Sequence, residues 1–245
     1  KEIKEKLDKQ EQELKSSKEK LDDLLLKIPN LPLKDVPIGD ESKNKIIKKV
    51  GSPKKFDFTP RDHLELGETL DIIDVKRAAK VSGIRFGYLK NEAVLLEFAL
   101  VQLAFDILIR EEFVPIIPPV LINQEITEEL GYWHGGGNEE YYLVGEPSEK
   151  KYFYLVGTAE HSIVPMHKDE VLNKKDLPKR YIGFSSSFRR EAGSYGKDTR
   201  GIFRVHQFDK VEMVSLTTEE DDDKEHKYLL SLQEKLFQSL DIPYR

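Results

Sequence analysis

Two runs of residues, 181–191 and 202–216, alternate between apolar and polar side chains and constrain the fold more than any other feature of the sequence. Side chains along a β-strand point to opposite faces in turn, so this alternation predicts two strands that each have two unlike faces. The segment between the runs contains residues that favour turns, namely Gly193, Gly196, Asp198, Thr199 and Gly201. We therefore predict one long antiparallel hairpin.

The two faces of the predicted hairpin differ in chemistry. One face combines polar and charged side chains with one aromatic ring: Ser185, Ser187, Arg189, Glu191, Arg204, His206, Phe208, Lys210 and Glu212. The other face is apolar: Ile182, Phe184, Phe188, Phe203, Val205, Val211 and Met213. Arginine binds phosphate oxygens through paired hydrogen bonds, an aromatic ring can stack on a base, and a carboxylate can bind an ammonium or hydroxyl group. The charged face is interpreted as a site for a nucleotide and a small amino compound, with a solvent-exposed charged hairpin as the alternative.

The surrounding sequence predicts a mixture of helices and strands. Residues 64–73 and 92–110 have helical patterns, and the second is apolar on nearly every side, which predicts a buried helix. "FVPIIPPVLIN" at 113–123 predicts an extended edge or interface strand, and "YFYLVGTAE" at 152–160 predicts another strand. A closing amphipathic helix after the acidic segment 217–223 is marked by Leu229, Leu232, Leu236 and Leu240. Because little helix separates the last two strands, we predict an α+β fold with an antiparallel sheet.

The N-terminal residues 1–28 form a separate pattern. Their heptad seam contains Ile3, Leu7, Gln10, Leu14, Ser17, Leu21, Leu24 and Ile28, amid eight Lys and eight Asp or Glu residues. Such a helix needs a partner, either a helix that precedes residue 1 or a second copy of the same segment. The prolines of "IPNLPLKDVPIG" end it. We predict a helical arm at 1–28, a linker at 29–61 and a core domain at 62–245.

Composition excludes several classes of site. Without cysteine the chain has no disulfide and no thiolate zinc site, and an intracellular location is expected. Neither a membrane span nor a signal peptide is expected. The net charge of −6 gives no overall attraction to nucleic acid. A local cluster of six lysines at residues 43–55 is interpreted as a solvated face, with a nucleic-acid patch as the alternative. We expect His134, His161 and His167 to be ordinary core or loop residues rather than metal ligands.

The hairpin sequence resembles a known family. "FRREAGSYGKDTRGIFRVHQFDKVE" at 188–212 is similar to motif 2 of the class II aminoacyl-tRNA synthetases, in the form found in seryl-tRNA synthetases. Other stretches agree in the same order: "IPNLPLKDVPIG", "FDFTPRDHLELGE", "RAAKVSGIRFGYLK", "PPVLIN" and "GTAE". The resemblance covers the whole chain and departs from the family in "GYWHGGGNEEYY" and "HSIVPMH", which leaves those two loops open.

This resemblance implies roles for residues of the charged face. Arg189 would bind the α-phosphate of ATP and the carboxylate of serine, and Glu191 would contact the adenine side. Phe208 would stack on adenine, and Arg204 would bind the outer phosphates. These four residues, with Arg189, Glu191 and Arg204 as the catalytic set, form the implied ATP site.

The resemblance also implies a site for serine. Thr158 and Glu160 of "GTAE" would bind its ammonium group, Arg189 its carboxylate, and Glu212 its hydroxyl. The implied protein is a serine–tRNA ligase of the cytoplasm, a homodimer that uses ATP with Mg²⁺, forms seryl-adenylate and charges the 3′ end of tRNA(Ser). The arm at 1–28 would be half of an antiparallel coiled coil that binds tRNA.

The resemblance leads to one further expectation, and two alternative functions stay open. Motif 3 and the magnesium-binding glutamate would lie beyond Arg245, so no metal ligand is expected within this chain, which alone would be a poor catalyst. A catalytically silent paralogue that serves as a binding or dimerising module is the first alternative function. A ligase that charges a small carrier other than tRNA is the second, and the heptad arm argues against it.

Overall fold

A computed structural model describes residues 2–29, 31–131, 140–145, 152–192 and 200–245. The predicted turn residues Gly193, Gly196, Asp198 and Thr199, together with His134, lie outside these ranges. The helices are α1 (Glu2–Leu26), α2 (His63–Thr69), α3 (Val75–Ser82), α4 (Glu92–Arg110), α5 (Gln124–Glu129), α6 (Glu160–Ile163) and α7 (Asp222–Ser239). The strands are β1 (Ile73–Asp74), β2 (Tyr88–Leu89), β3 (Val114–Ile116), β4 (Leu121–Asn123), β5 (Leu143–Val144), β6 (Phe153–Leu155), β7 (Lys179–Phe188) and β8 (Gln207–Leu216).

Strands β7 and β8 form the predicted hairpin. They pair antiparallel over ten positions, from Lys179 opposite Leu216 to Phe188 opposite Gln207. The register places Ser185 opposite Lys210, so these side chains share one face of the sheet. The α+β fold with helices around antiparallel strands is therefore confirmed. The exception is the edge strand β3, which pairs parallel with β7.

The apolar face of the hairpin packs against two helices. Ile182 of β7 is fully buried against Leu108 of α4, Phe113 and Leu232 of α7. Burying each side chain of this size stabilises the fold by roughly 2 kcal/mol. Helices α4 and α7 therefore hold one side of the sheet and leave the opposite face available for a site.

Helix α6 covers one end of that opposite face, and Ser185 and Ser187 farther along it are also buried. Tyr181 and Val214 pack beneath Ala159 and Ile163, at the start and within helix α6. Helix α6 follows directly after "GTA", so the same packing fixes the position of Thr158 beside the hairpin. Glycine is required at Gly183, because a Cβ there would lie 2.4 Å from Ile163 Cδ1.

The hairpin is shorter at its mouth than the sequence predicts. Residues 189–191 and 202–206 are not strand, so the paired arms end at Phe188 and Gln207. Phe203, predicted on the apolar face, is instead 73 % exposed, and its ring lies 3.9 Å from the ring of His63. Val205, predicted on the same face, lines a cavity at the mouth. The alternation of apolar and polar residues therefore extends beyond the paired strands. Outside the paired region it does not determine which side chains are buried.

The predicted helix at 64–73 is also shorter in the structure. Asp62 begins α2, because its side chain accepts a hydrogen bond from the backbone N–H of Glu65 at 2.8 Å. The helix ends at Thr69, and Asp71 adopts a positive φ of 55° that turns the chain back. Ile73 then lies against Gly67, where a Cβ would come within 2.5 Å of Ile73 Cδ1. This close contact requires a turn where the pattern predicts continued helix.

Helix α4 has the predicted bounds but not the predicted burial. Only Ala104 and Leu108 are buried among its described side chains. Leu95, Leu96 and Phe98 are 69 %, 62 % and 61 % exposed. The sheet and α7 cover one side of the helix, and its remaining apolar surface faces outward in the single chain.

The N-terminal elements contact the rest of the molecule sparingly. No residue of α1 is buried, and its helix ends at Leu26. Within the predicted linker, a short 3₁₀ helix spans Glu41–Lys43, and Val50 pairs antiparallel with Tyr244. The division into arm, linker and core stays a prediction. No helix of the described residues is both long and apolar enough to cross a membrane.

Candidate active site

A cavity of about 710 Å³ opens at the mouth of the hairpin. It is lined by Glu140, Tyr141, Arg189, Glu191, Ile202, Phe203, Arg204, Val205 and Phe208. All four residues implied for ATP therefore border one space. The cavity has the size of a small-molecule site.

Arg189 is held rigidly at the inner wall of this cavity. Its Nε donates to the carbonyl oxygen of Gly157 at 3.1 Å, and its guanidinium carbon lies 5.3 Å from the ring centroid of Phe208. Its backbone N–H donates to the carbonyl of His206 at 3.0 Å, and the ring Nδ1 of His206 lies 3.0 Å from the Arg189 carbonyl oxygen. A cation stacked on an aromatic ring and fixed at one nitrogen is preorganised to bind an anion.

Glu191 and Arg204 face each other across the hairpin mouth. The Nη1 of Arg204 donates to Glu191 Oε2 at 3.2 Å. Glu191 adopts a positive φ of 53°, a conformation that L-residues rarely adopt and that costs about 1–3 kcal/mol where it is imposed. The backbone N–H of neighbouring Arg190 is fixed by the carbonyl of Glu140 at 2.8 Å. In this strained conformation, the Glu191 side chain lines the cavity beside Arg204.

A second polar cluster lies beside Arg189. The hydroxyl of Thr158 donates to Glu212 Oε2 at 2.7 Å and accepts from the ammonium of Lys210 at 3.0 Å. Lys210 also forms a close ion pair with Glu212. Glu160 joins the cluster through its backbone N–H, which lies 3.3 Å from the Thr158 hydroxyl oxygen. Three of the four residues implied for serine, Thr158, Glu160 and Glu212, are thus brought together, although they do not line the larger cavity.

The two clusters are joined through Gly157 and Thr158. The carbonyl of Gly157 binds Arg189, and the next side chain binds Glu212. A Cβ at Gly157 would lie 2.9 Å from Tyr141 Cε1, so glycine allows this close approach of the backbone. A ligand could therefore place an anionic end at Arg189 and an ammonium or hydroxyl group at Glu212, because the residues that contact these two side chains, Gly157 and Thr158, are adjacent in the chain.

His161 supports this junction from beneath. It is fully buried, its Nδ1 accepts from the backbone N–H of Gly157 at 3.3 Å, and its ring packs edge-on against Tyr141 at 5.3 Å. Burial, and to a lesser extent the nearby cations Arg189 and Lys210, lower the pKa of His161 to about 4. The imidazole is therefore neutral at pH 7 and can accept the Gly157 hydrogen bond.

Two of the three histidines considered as metal ligands, His161 and His167, lie in the described part of the structure. His161 is a core residue, and His167 lies within 2.7 Å of the hydroxyl of Tyr181. Within the described ranges no group of three or more His, Cys, Asp or Glu side chains could hold a metal ion. His161 and His167 thus both have structural partners.

Known proteins resemble this chain in sequence and in structure. Residues 142–245 match the family model of the tRNA synthetase class II core domain (G, H, P, S and T). A serine–tRNA ligase from Acidothermus cellulolyticus is 50 % identical over 221 residues, which cover 90 % of this chain and 51 % of that protein. The fold superposes on seryl-tRNA synthetase from Pyrococcus horikoshii complexed with ATP, with a TM-score of 0.90 and 39 % identity over 100 % of this chain and 58 % of that one.

Residues 142–245 match the core domain of the class II aminoacyl-tRNA synthetases, and the chain has the fold of these synthetases. Within them it is also similar to the cytoplasmic serine–tRNA ligase of Naegleria fowleri in complex with AMP, with a TM-score of 0.88, 31 % identity and coverage of 96 % of this chain and 56 % of that one. The chain spans about half the length of the curated relatives it matches.

Some residues of this class II synthetase site were not singled out from the sequence. Lys210 was placed on the charged face without a role, yet it contacts both Thr158 and Glu212. Tyr141 and Gly157 were not assigned either, because their contribution depends on contacts between distant segments. For Lys210 the sequence does contain a signal: Lys210 lies two residues before Glu212 on one strand, so the two side chains share a face.

Proposed function

We propose that the protein activates serine with ATP and transfers the seryl group to the 3′ end of tRNA(Ser). The observation that carries this proposal is the junction of two subsites at Gly157 and Thr158: an arginine stacked on an aromatic ring, and a carboxylate that is hydrogen-bonded to a hydroxyl. The ATP complex of the Pyrococcus horikoshii protein supports a nucleotide in the cavity.

In the first step a carboxylate oxygen of serine attacks the α-phosphorus of ATP. A new O–P bond forms, the bond to the β-phosphate oxygen breaks, and pyrophosphate leaves with that electron pair. Arg189 would bind both anions and hold them together, which lowers the entropic cost and neutralises charge in the transition state. Arg204 would bind the outer phosphates, and Phe208 would stack on the adenine. In the second step a hydroxyl of the tRNA 3′ end attacks the carbonyl carbon, and AMP leaves.

Selection of serine is assigned to the second cluster. The ammonium of serine would be bound by Thr158 and Glu160, and its hydroxyl by Glu212. A substrate without the hydroxyl would lack this hydrogen bond to the partly buried Glu212 carboxylate and would bind less well. Glu191 is proposed to contact the adenine side while it positions Arg204.

In this proposal, Mg²⁺ would bind only as part of the ATP complex, through the phosphates. A magnesium ion at a nucleotide is commonly held by phosphates and one or two carboxylates, so the absence of a larger carboxylate or histidine group among the described residues does not conflict with it. Its contribution would be to neutralise phosphate charge. No residue role given above depends on it.

The remaining proposals concern assembly and location. A homodimer is proposed through the exposed apolar side of α4 and the segment 113–123, with α1 as half of a helical arm that binds tRNA. A dimer formed by two copies of the α1 seam is the alternative for that helix. A cytoplasmic location is proposed, in line with the name of the Naegleria fowleri protein.

The role of Arg189 can be tested by serine-dependent ATP–pyrophosphate exchange with the full-length protein. Arg189→Ala is expected to lower the exchange rate by roughly 10³-fold or more, the scale of losing a main charge-stabilising group. Arg190→Ala is the matched control, because Arg190 is the adjacent arginine and is exposed. Near-normal exchange in Arg189→Ala would contradict the mechanism, as would an equal loss in both variants.

A further inference from the structure

A cationic segment lies outside the proposed active site. Residues 43–55, called here the lysine strip, contain six lysines and no acidic residue: Lys43, Lys45, Lys48, Lys49, Lys54 and Lys55. The chain has a net charge of −6, and the strip alone contributes +6, so all other residues together carry −12. The strip can therefore attract a polyanion locally, although the chain as a whole carries a net negative charge.

The lysine strip is attached to the core of the molecule. Val50 and Tyr244 exchange both backbone hydrogen bonds at 3.0 Å, and Lys48 forms an ion pair with Glu234 of α7 at 2.5 Å. Gly51, with a positive φ of 70°, brings the chain so close to Pro243 that a Cβ would lie 3.3 Å from it. These contacts fix the middle of the strip beside the end of α7, so its charges are presented from a defined position.

The lysine side chains themselves are available. All six are exposed, and within the described residues Lys48 is the member of the strip that has a salt-bridge partner. The helical arm differs in this respect, because residues 1–28 carry eight Lys and eight Asp or Glu and so have no net charge. If the arm contacts RNA, its attraction at a distance is weak, whereas the strip carries a net charge of +6 in thirteen residues; residues 75–90, with five basic and no acidic residues, are a second positive segment.

We propose that the lysine strip is a binding surface for the phosphate backbone of the tRNA, an inference that rests on the proposed function. Lysine is a mobile point charge that suits phosphate contact without reading of the base sequence. Such contacts release counterions, so they make binding depend on salt: each neutralised phosphate contributes roughly 0.7–0.9 to the slope of log affinity against log salt. The surface would capture and position the tRNA, and serine activation would not need it.

The test uses the full-length protein with four lysines of the strip replaced by glutamine: Lys45, Lys49, Lys54 and Lys55. Lys48 is retained because it anchors the strip to Glu234. A matched control makes the same charge change at four exposed lysines of the core: Lys80, Lys175, Lys224 and Lys227. The dissociation constant for tRNA(Ser) is measured from 50 to 300 mM salt for both variants and the unmodified protein, and serine-dependent exchange is measured beside it.

The strip variant is expected to bind tRNA at least about tenfold more weakly near 100 mM salt, with a salt slope lower by roughly 3, while the control variant changes little. Serine-dependent exchange is expected to be equal in all three proteins. A strip variant whose affinity and slope match those of the control would overturn the proposal. Failure of the proposed function is a separate result, since it would appear as no exchange in the unmodified protein.

A membrane surface is the competing partner for exposed lysines. Binding to vesicles of phosphatidylserine and phosphatidylcholine is therefore measured for the same three proteins. Vesicle binding that depends on the strip, together with unchanged tRNA binding, would overturn the proposal in favour of an anionic lipid surface. Loss of tRNA binding with no vesicle binding in any of the proteins would support it.

Discussion

At the scale of single residues, the serine subsite depends on a chain of contacts that starts at Glu212. Its carboxylate is bound by the Thr158 hydroxyl and by Lys210, so the charge is compensated before any substrate arrives. The sequence places Lys210 and Glu212 on one face through strand alternation alone. It does not place Thr158 there, because Thr158 and Glu212 are 54 positions apart in the sequence and are brought together only by the packing of α6 on the hairpin.

Replacement of Glu212 tests this subsite directly. Glu212→Ala is expected to lower the preference for serine over alanine by roughly 10²-fold or more, since a site built to bind a hydroxyl rejects the analogue that lacks it. The ratio of kcat/KM in amino-acid-dependent exchange measures this preference. Asp209→Ala on the same strand is the control, because Asp209 lies on the opposite face and binds Ser186 instead. An unchanged serine-to-alanine ratio in Glu212→Ala would exclude Glu212 as the hydroxyl ligand.

His161 predicts a pH effect on stability. Its pKa is about 4 in the folded protein and near 6.5 in an unfolded chain, so its neutral form is favoured by folding. The associated stability is complete above about pH 6.5 and is lost as the pH falls toward 4, because the unfolded chain then takes up a proton first. His161→Gln is expected to reduce the pH 7 to pH 5 difference in unfolding free energy by about 2 kcal/mol.

Urea denaturation at pH 5, 6 and 7 measures that difference. His226→Gln is the control, since His226 is exposed on α7. If His161→Gln and the unmodified protein give parallel stability curves over this pH range, His161 does not have the buried neutral state described here.

At the scale of elements, local sequence patterns correctly predicted the features that strand pairing and helix periodicity determine. Helix α4 has its predicted bounds, and the paired part of the hairpin has its predicted faces. The errors lie where tertiary contacts decide the conformation. Helix α2 ends early because Ile73 must return to Gly67, and Phe203 leaves the apolar face because strand pairing stops at Gln207.

The exposed side of α4 leads to a prediction about assembly. A symmetric dimer would bury Phe98 in both copies, and each buried aromatic side chain contributes about 2 kcal/mol. Phe98→Asp is therefore expected to weaken dimerisation by roughly 10³-fold and to give monomers in light scattering at micromolar concentration. Lys227→Glu, a charge change at an exposed position on α7, should remain dimeric. A Phe98→Asp protein as dimeric as the unmodified one would place the interface elsewhere.

At the scale of the whole molecule, the three proposed functions lie on different parts of the chain. The hairpin and α6 form the proposed chemical site, the outer side of α4 is the proposed dimer surface, and α1 with the lysine strip faces the proposed RNA. The class of fold followed from the sequence because alternation and helix periodicity extend over long segments. The choice between a solvated face and a nucleic-acid patch for the strip did not, because it depends on which surfaces the folded chain leaves uncovered.

The central claim is that the hairpin face is an adenylation site for serine. Its most direct test is ATP–pyrophosphate exchange on the full-length protein with serine, threonine, alanine and glycine compared at equal concentrations. We predict exchange with serine and at most trace exchange with the other three amino acids. No exchange with any of the four, in a protein shown to be folded and dimeric, would contradict the claim and favour a silent paralogue that retains the site for binding.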